Sequence, residues 1–432
     1  MSSRAAPPQG MFAAAQTTRG PMRALPPRLL LLALLHAACG RSGPGPGAAP
    51  ASQDATAFLE EAIRTAQGGT VTLAGSGTYS VRSVAVNIPG TTIVCTGTPT
   101  PATIQLRALG AGDGAPVFDV SADGFTLRNC ILDGRRSAQP PGGFNDSFDG
   151  RAFRSAIRMQ GRHRGLTVDG VTFKNVYGAA IATRDVSGIA VTHSTFQDDN
   201  FEAVFADNAF PLGDARDFLG GFTFTGNTVT NTGSRDVRVN ANGLLVHQMT
   251  DVDIEGNVWT GYERSGIKLE NCGRVTVAGN RIRDGAIPNF AAVTLQNGAH
   301  HVTVHDNDIG NVGTGIDTSL VAAGQYPSDS VVDVTIRTNT IRGVKPGDIP
   351  DGIRVLGYGP ETQGIAIVGN TVQDVPRAGI TLRQFRTSSP APVFSTITVR
   401  DNHLTSAGSC ADFFAGSDVA PTGVDVGGNR CD

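Results

Sequence analysis

Val275-Thr276-Val277-Ala278-Gly279-Asn280-Arg281-Ile282 is the stretch on which the fold turns. Its alternating valines read as a strand, Gly279-Asn280 as a turn, and Ile282 as the core residue of a brief further strand. The same Asn-x-apolar signature recurs at Asn227, Asn257, Asn307, Asn339, Asn370, Asn402 and Asn429. The residues two positions on are Val229, Trp259, Ile309, Ile341, Val372, Leu404 and Cys431. Successive asparagines are 23 to 32 residues apart. A repeat of that length signifies stacked supersecondary units, and a continuous one argues for a single elongated body rather than several domains.

Working outward, a second element lies between the Asn turns: a small residue, an aliphatic one, a variable one, then usually another apolar one. It reads Gly266-Ile267-Lys268-Leu269, Ala292-Val293-Thr294-Leu295 and Gly352-Ile353-Arg354-Val355, and upstream Ala156-Ile157-Arg158-Met159 and Gly243-Leu244-Leu245-Val246. Each repeat therefore predicts a first strand, a turn, a Val-x-Val strand, the Asn turn and a brief third strand, with aliphatics inward and variable positions outward. Composition agrees: 55 Gly stand beside only 20 Phe, 5 Tyr and 1 Trp. Asp54–Ala66 is the convincing helix, with Asp54 as its cap and Phe58, Leu59, Ala62, Ile63 and Ala66 on one face. Placed before a strand repeat, such a helix covers the open end of a solenoid.

The N-terminus carries an export signal. Met22-Arg23 and Arg28 precede the apolar block Leu29–Leu35 and then Ala37-Ala38-Cys39, with Met22 a plausible true start. The block is too short to span a bilayer. Residues 1–39 are read as a signal peptide whose end resembles a lipobox, with His36 where that motif favours leucine. Cys39 is then the lipidated residue, and ordinary cleavage nearby is the alternative. Residues 40–53, rich in Gly, Pro and Ala, form a linker, and residues 54–432 the repeat domain. In an oxidising compartment Cys410 and Cys431 are expected to form a disulfide at the C-terminal end, and Cys95 with Cys130 is a second candidate pair. Cys272 is left as a thiol. A net charge of −3 with scattered Lys and Arg gives no footprint for nucleic acid.

The repeat, its capping helix and the run Gly68-Gly69-Thr70-Val71 followed by Gly77-Thr78-Tyr79 resemble the right-handed parallel β-helix superfamily of pectate lyases and related polysaccharide-active proteins. The resemblance covers residues 54–432. It implies an all-β, single-stranded right-handed parallel β-helix solenoid with an N-terminal capping helix. It also implies that the Asn column is structural, each amide donating to one neighbour and accepting from the other. Finally, it implies that the outer face of the stacked first strands floors a substrate groove. Insertions at 133–154, 208–221, 231–241, 319–330, 342–350 and 384–395 would wall that groove.

Setting the first aliphatic of each first strand as a register mark gathers outward residues into columns. One column reads Arg158, Ala182, Phe205, Leu245, Lys268, Thr294, Asp317, Arg354, and another Gln160, Arg184, Asp207, His247, Glu270, Gln296. With turns about 4.8 Å apart, Asp207, His247 and Glu270 form a line, and Lys268 lies beside Glu270. These four are the candidate catalytic residues. Arg158, Arg184, Glu202, Asn242, Asp317, Arg354 and Arg383 are the candidate substrate-binding set. Lys268 or His247 would serve as base in a lyase acting on uronate-containing polysaccharide. Asp207 and Glu270, roughly 10 Å apart, would instead suit an inverting glycoside hydrolase. A non-catalytic carbohydrate-binding or surface structural role is the third reading, because fold alone does not give function.

Subfamily signatures do not decide among these readings. Asp198-Asp199 resembles the paired acids of polygalacturonases, but Asn242 stands where that family has its His, and Lys268 and Glu270 where it has Arg and Lys. The Asp-Pro-His-Glu signature of mannuronan epimerases is absent. No match appears to the calcium-binding acids of chondroitinase-type lyases, so no cofactor is assigned and Ca2+ stays open. His300, His301 and His305 are read as surface or turn residues rather than metal ligands. The expected partner is an acidic polysaccharide bound by an exported monomer, with a membrane met only through a lipid on Cys39.

Overall fold

The computed structural model describes residues 54–142, 147–199, 201–208, 219–233, 241–318, 331–348, 350–357, 361–384, 393–414, 417 and 420–432. The signal segment with Cys39, the linker, and much of the insertions at 208–221, 231–241, 319–330 and 384–395 lie outside the described residues, as does residue 349 of the 342–350 insertion. The strands wind as a right-handed parallel β-helix, and every registered pairing is parallel to the equivalent strand of the next turn. Val252, Val275, Val302 and Val334 stack in one register position of the Val-x-Val strands. Trp259, Ile282, Ile309 and Ile341 do so in the third strands.

The core is a narrow column of these inward side chains, fully buried along the tube. Among them Phe173 and Phe196 stack at 4.7 Å, and Phe224 lies on Trp259 at 5.3 Å. Helix α1 (Thr56–Ala66) closes the N-terminal end with Leu59 and Ile63 buried against the first turn. It begins two residues later than the sequence suggests. Asp54 instead precedes the helix, and its Oδ1 accepts from the Thr56 amide at 3.0 Å.

The Asn column is the internal brace. Asn257 Nδ2 donates to Asn280 Oδ1 at 2.9 Å, Asn280 to Asn307 at 3.0 Å, and the chain of amides continues to Asn429. The second Nδ2 hydrogen of Asn280 goes to the Ile254 carbonyl, and the Asn280 backbone amide donates to Asn307 Oδ1. Buried turn backbone that would otherwise lack a partner is satisfied by its neighbour's side chain. Ser194 continues the column one turn upstream, where its amide donates to Asn227 Oδ1 at 2.8 Å.

Disulfides join Cys95 to Cys130 and Cys410 to Cys431. Cys272 is a buried thiol, and burial pushes its pKa up to about 12. Such a thiol is inert as a nucleophile. No helix among the described residues is long and apolar enough to cross a membrane.

Candidate active site

The first strands set the site's register. Arg184 lies opposite Asp207, His247 opposite Glu270, and Glu270 opposite Gln296 on successive turns. Beside them Ala182, Phe205, Leu245, Lys268 and Thr294 stack in the parallel column. A pocket of about 350 Å³ opens over these turns. Its polar lining includes Asp207, His247, Lys268 and Glu270, so the four candidate catalytic residues share one cavity, together with Arg184 and Asn242.

Asp207 is the hub. The Arg184 guanidinium donates to its Oδ2 from both Nε and Nη2, at 3.2 and 3.1 Å. The imidazole of His247 meets its Oδ1 through Nδ1 at 2.9 Å. Burial alone would raise the Asp207 pKa, but the hydrogen bond and charge of His247, with the charge of Arg184, outweigh it and hold the group below the usual carboxylate range. An ionised Asp207 accepting at Nδ1 fixes that nitrogen as the protonated one, which leaves the basic lone pair of neutral His247 on Nε2. Lys268 Nζ sits 2.5 Å from Glu270 Oε1, an ion pair between the two columns.

The other wall comes from the 133–154 insertion. Helix α2 (Phe148–Arg151) is capped by Ser147, whose hydroxyl accepts from the Gly150 amide. Phe148, Phe201, Phe205, Leu245 and small alanines form a second apolar cluster on the outer face of the sheet. Arg184 lies over the Phe148 ring at 4.2 Å, and Arg151 over Phe205 at 4.9 Å. Arg264 completes the cationic lining and stacks on Phe290 at 4.6 Å. The outward positions of Phe205 and Leu245 are visible in the sequence register, and apolar side chains there signal a cover. Arg151, Phe148 and Arg264 lie outside the columns and carry no periodic signal.

Several candidate binding residues are placed elsewhere. Glu202 is fully buried behind the pocket, ion-paired with Arg151 and accepting from Asn242 Nδ2. Asp317 and Arg354 form a buried pair, with Arg354 Nε 2.9 Å from Asp317 Oδ1. Arg158 pairs with Asp119, and Arg383 with Asp412. None of Glu202, Arg158, Asp317, Arg354 and Arg383 lines the pocket. Glu202 spends its charge on Arg151 of α2 and the other four on a neighbour in the next turn, an outcome that residue type alone does not reveal.

Asp199 is wholly buried, with Oδ1 accepting from the Val176 amide at 3.1 Å, and burial drives its pKa well above the ordinary value. That is a structural acid inside a turn and not half of an exposed catalytic pair. His300 Nδ1 meets the Gly298 carbonyl, while His301 and His305 pair with Asp333 and Asp306. Among the described residues no group of three His, Cys, Asp or Glu side chains is placed to hold a metal ion.

The coiled fold and the polar pocket on its first-strand sheet define a solenoid with a built surface site. The sequence matches the model of the right-handed β-helix region over residues 155–323 and 219–430. These cover more than half of the chain, and the chain belongs to that family. No curated protein matches it in sequence. Among solved structures it is similar to the catalytic unit of an α-1,3-glucanase from Streptomyces thermodiastaticus, at 15% identity and TM-score 0.52, over 89% of this chain and 67% of that one. It is also similar to an alginate lyase in complex with a trisaccharide, at 14% identity and TM-score 0.50, over 90% of this chain and 85% of that one. The A-module of a mannuronan C-5 epimerase from Azotobacter vinelandii aligns at 14% identity and TM-score 0.47, over 89% and 97%. At such identities the likeness speaks for the fold alone.

Proposed function

We propose that the protein is an exported carbohydrate-active enzyme that cleaves a uronate-containing polysaccharide by β-elimination at the Asp207–His247 pocket. The observation that carries this reading is the relay Arg184–Asp207–His247 set in the same cavity as Lys268. Four cationic side chains, Arg151, Arg184, Arg264 and Lys268, line the pocket against two carboxylates, Asp207 and Glu270. Even with Glu202 set against Arg151, the balance favours an anionic ligand. Export is supported by the leader sequence and by two disulfides, which persist in oxidising compartments.

In this mechanism His247 Nε2 takes the proton on C5 of the uronate. The C4–O4 bond breaks as the C4–C5 double bond forms, and the imidazolium returns the proton to the departing O4. Asp207 holds the ring and balances its transient charge, the part the carboxylate plays in a Ser-His-Asp triad. Lys268 and Arg264 neutralise the uronate carboxylate and so make the C5 proton more acidic. Lys268 is the weaker choice of base, because its Nζ is already engaged by Glu270. Hydrolysis with Asp207 as protonated acid is disfavoured for the matching reason: Arg184 and His247 keep that carboxyl ionised.

The test is incubation with polygalacturonate, alginate and glycosaminoglycans, read at the ultraviolet absorbance of an unsaturated uronate. Absorbance that grows with time is the expected result. New reducing ends without it would transfer the site to hydrolysis. Binding with neither signal would make the protein a carbohydrate-binding β-helix.

A further inference from the structure

The surface around the pocket is closed on both sides along the solenoid axis. On the N-terminal side α2 sits directly on the sheet: the Ala179 amide donates to the Arg151 carbonyl at 2.8 Å, and Ala179 and Ala182 are wholly buried beneath the helix. Only small residues permit that approach. A side chain at Gly178 would put its Cβ 2.6 Å from the Arg151 carbonyl oxygen. Arg151 is clamped to Glu202, and Phe148 fills the space between Arg184 and Phe205. On the C-terminal side the outward residues Thr294, Asp317, Arg354 and Thr381 are buried too. Between these limits Arg184 and Lys268 keep 32% and 24% of their side chains exposed. The open face thus spans four turns, three spacings of about 4.8 Å or roughly 14 Å in all. The volume of about 350 Å³ lies near the lower end of the roughly 300–1,000 Å³ typical of small-ligand pockets.

We propose that this pocket takes the end of a sugar chain, not its middle, and that α2 is the barrier that decides this. The proposal rests on the functional reading above and adds a mode of action to it: terminal units are removed one cleavage at a time. A groove that binds internal segments would have to run across the outer face of the Ala182 turn, and α2 occupies that face.

Two measurements on the full chain test it. His247→Ala protein is titrated with short and long preparations of the same uronate polymer. End recognition gives a bound stoichiometry per chain that is independent of length, whereas groove binding gives one that rises with length. With wild type, end trimming releases small unsaturated products from the first time point while the polymer's viscosity persists. An early collapse in viscosity with a broad range of product sizes would overturn the proposal while leaving the elimination chemistry standing. Absence of both binding and cleavage across the panel would overturn the functional reading, and this proposal with it. The triple change Phe148→Ala, Arg151→Ala and Glu202→Ala removes the barrier without leaving one buried charge alone. It should shift the products toward internal cuts; an unchanged pattern in a folded variant would show that α2 is not the barrier.

Discussion

Two columns of stacked polar side chains run along this molecule, and they differ in kind. The Asn column repeats one residue from Asn227 to Asn429, buried for most of its length, each amide giving its neighbour what it received from the one before. The outward column of the first strands changes residue at every turn: Arg184, Asp207, His247, Glu270, Gln296. A uniform column solves a problem that every turn shares, namely the unsatisfied backbone of the turn itself. A mixed column cannot be an answer to a shared problem. Its members are fitted to one another, and what Arg184 and Asp207 achieve together is to hold one histidine ring in one tautomer.

The sharpest break of that contrast is His247→Ala. Losing the base should lower kcat by roughly 10²–10⁴-fold, while the denaturation midpoint stays within error of wild type, because the imidazole lies outside the tube's core. Turnover that survives this change and Lys268→Ala alike would remove both from the chemistry. The opposite pattern is expected at Arg354. Arg354→Met takes the guanidinium away from the buried Asp317 carboxyl, a loss of about 3–5 kcal/mol in chemical denaturation, with KM unchanged in the folded fraction. Pairing it with Asp317→Leu should restore most of the stability. If instead KM rises while stability holds, Arg354 meets substrate after all.

Asn280→Ala probes the uniform column. It strips the Asn257 amide of its acceptor and the Ile254 carbonyl of its donor. The cost expected for leaving such groups buried is about 1–3 kcal/mol in equilibrium unfolding, with kcat/KM unaltered. Equal damage from the exposed Arg281→Ala next door would show that any change in this turn is harmful and that the amide is not special.

The same contrast separates what the sequence reveals from what it hides. A column that repeats one signature at every turn declares itself in the sequence, and so do the register it sets and the meeting of Asp207, His247, Lys268 and Glu270. Pairing within a column is legible only in part. Arg354 and Asp317 fall in the same outward column, but nothing in their spacing says that their two charges are buried together rather than offered to a ligand. The α2 wall is illegible for a different reason. Phe148 and Arg151 lie in an aperiodic insertion, where the position of each side chain depends on how the loop folds back. Only the apolar Phe205 and Leu245, sitting outward on the sheet, hint that something covers them.

The smallest effect separates two carboxyls, Asp199 buried and Asp207 partly buried, that lean in opposite directions. At Asp207 burial is outweighed by His247 and Arg184, so the folded pKa lies below the ordinary value. Its contribution to stability is present above the unfolded value near about 4 and is lost as pH falls through the lowered folded value. At Asp199 burial wins over the Val176 hydrogen bond and the charge of Arg136, so the folded pKa is raised. There the stability is complete below the unfolded value and declines as pH rises toward the folded one, because the unfolded chain sheds a proton that the folded chain keeps. Asp199→Asn fixes the neutral form and retains an acceptor for the Val176 amide. Its denaturation midpoint should match wild type in acid and exceed it increasingly from about pH 4 to pH 7, whereas Asp207→Asn should lose stability at neutral pH and little in acid. Parallel curves for wild type and Asp199→Asn across that range would mean that Asp199 does not keep its proton in the folded chain, and the turn would then have to supply it with a counter-charge.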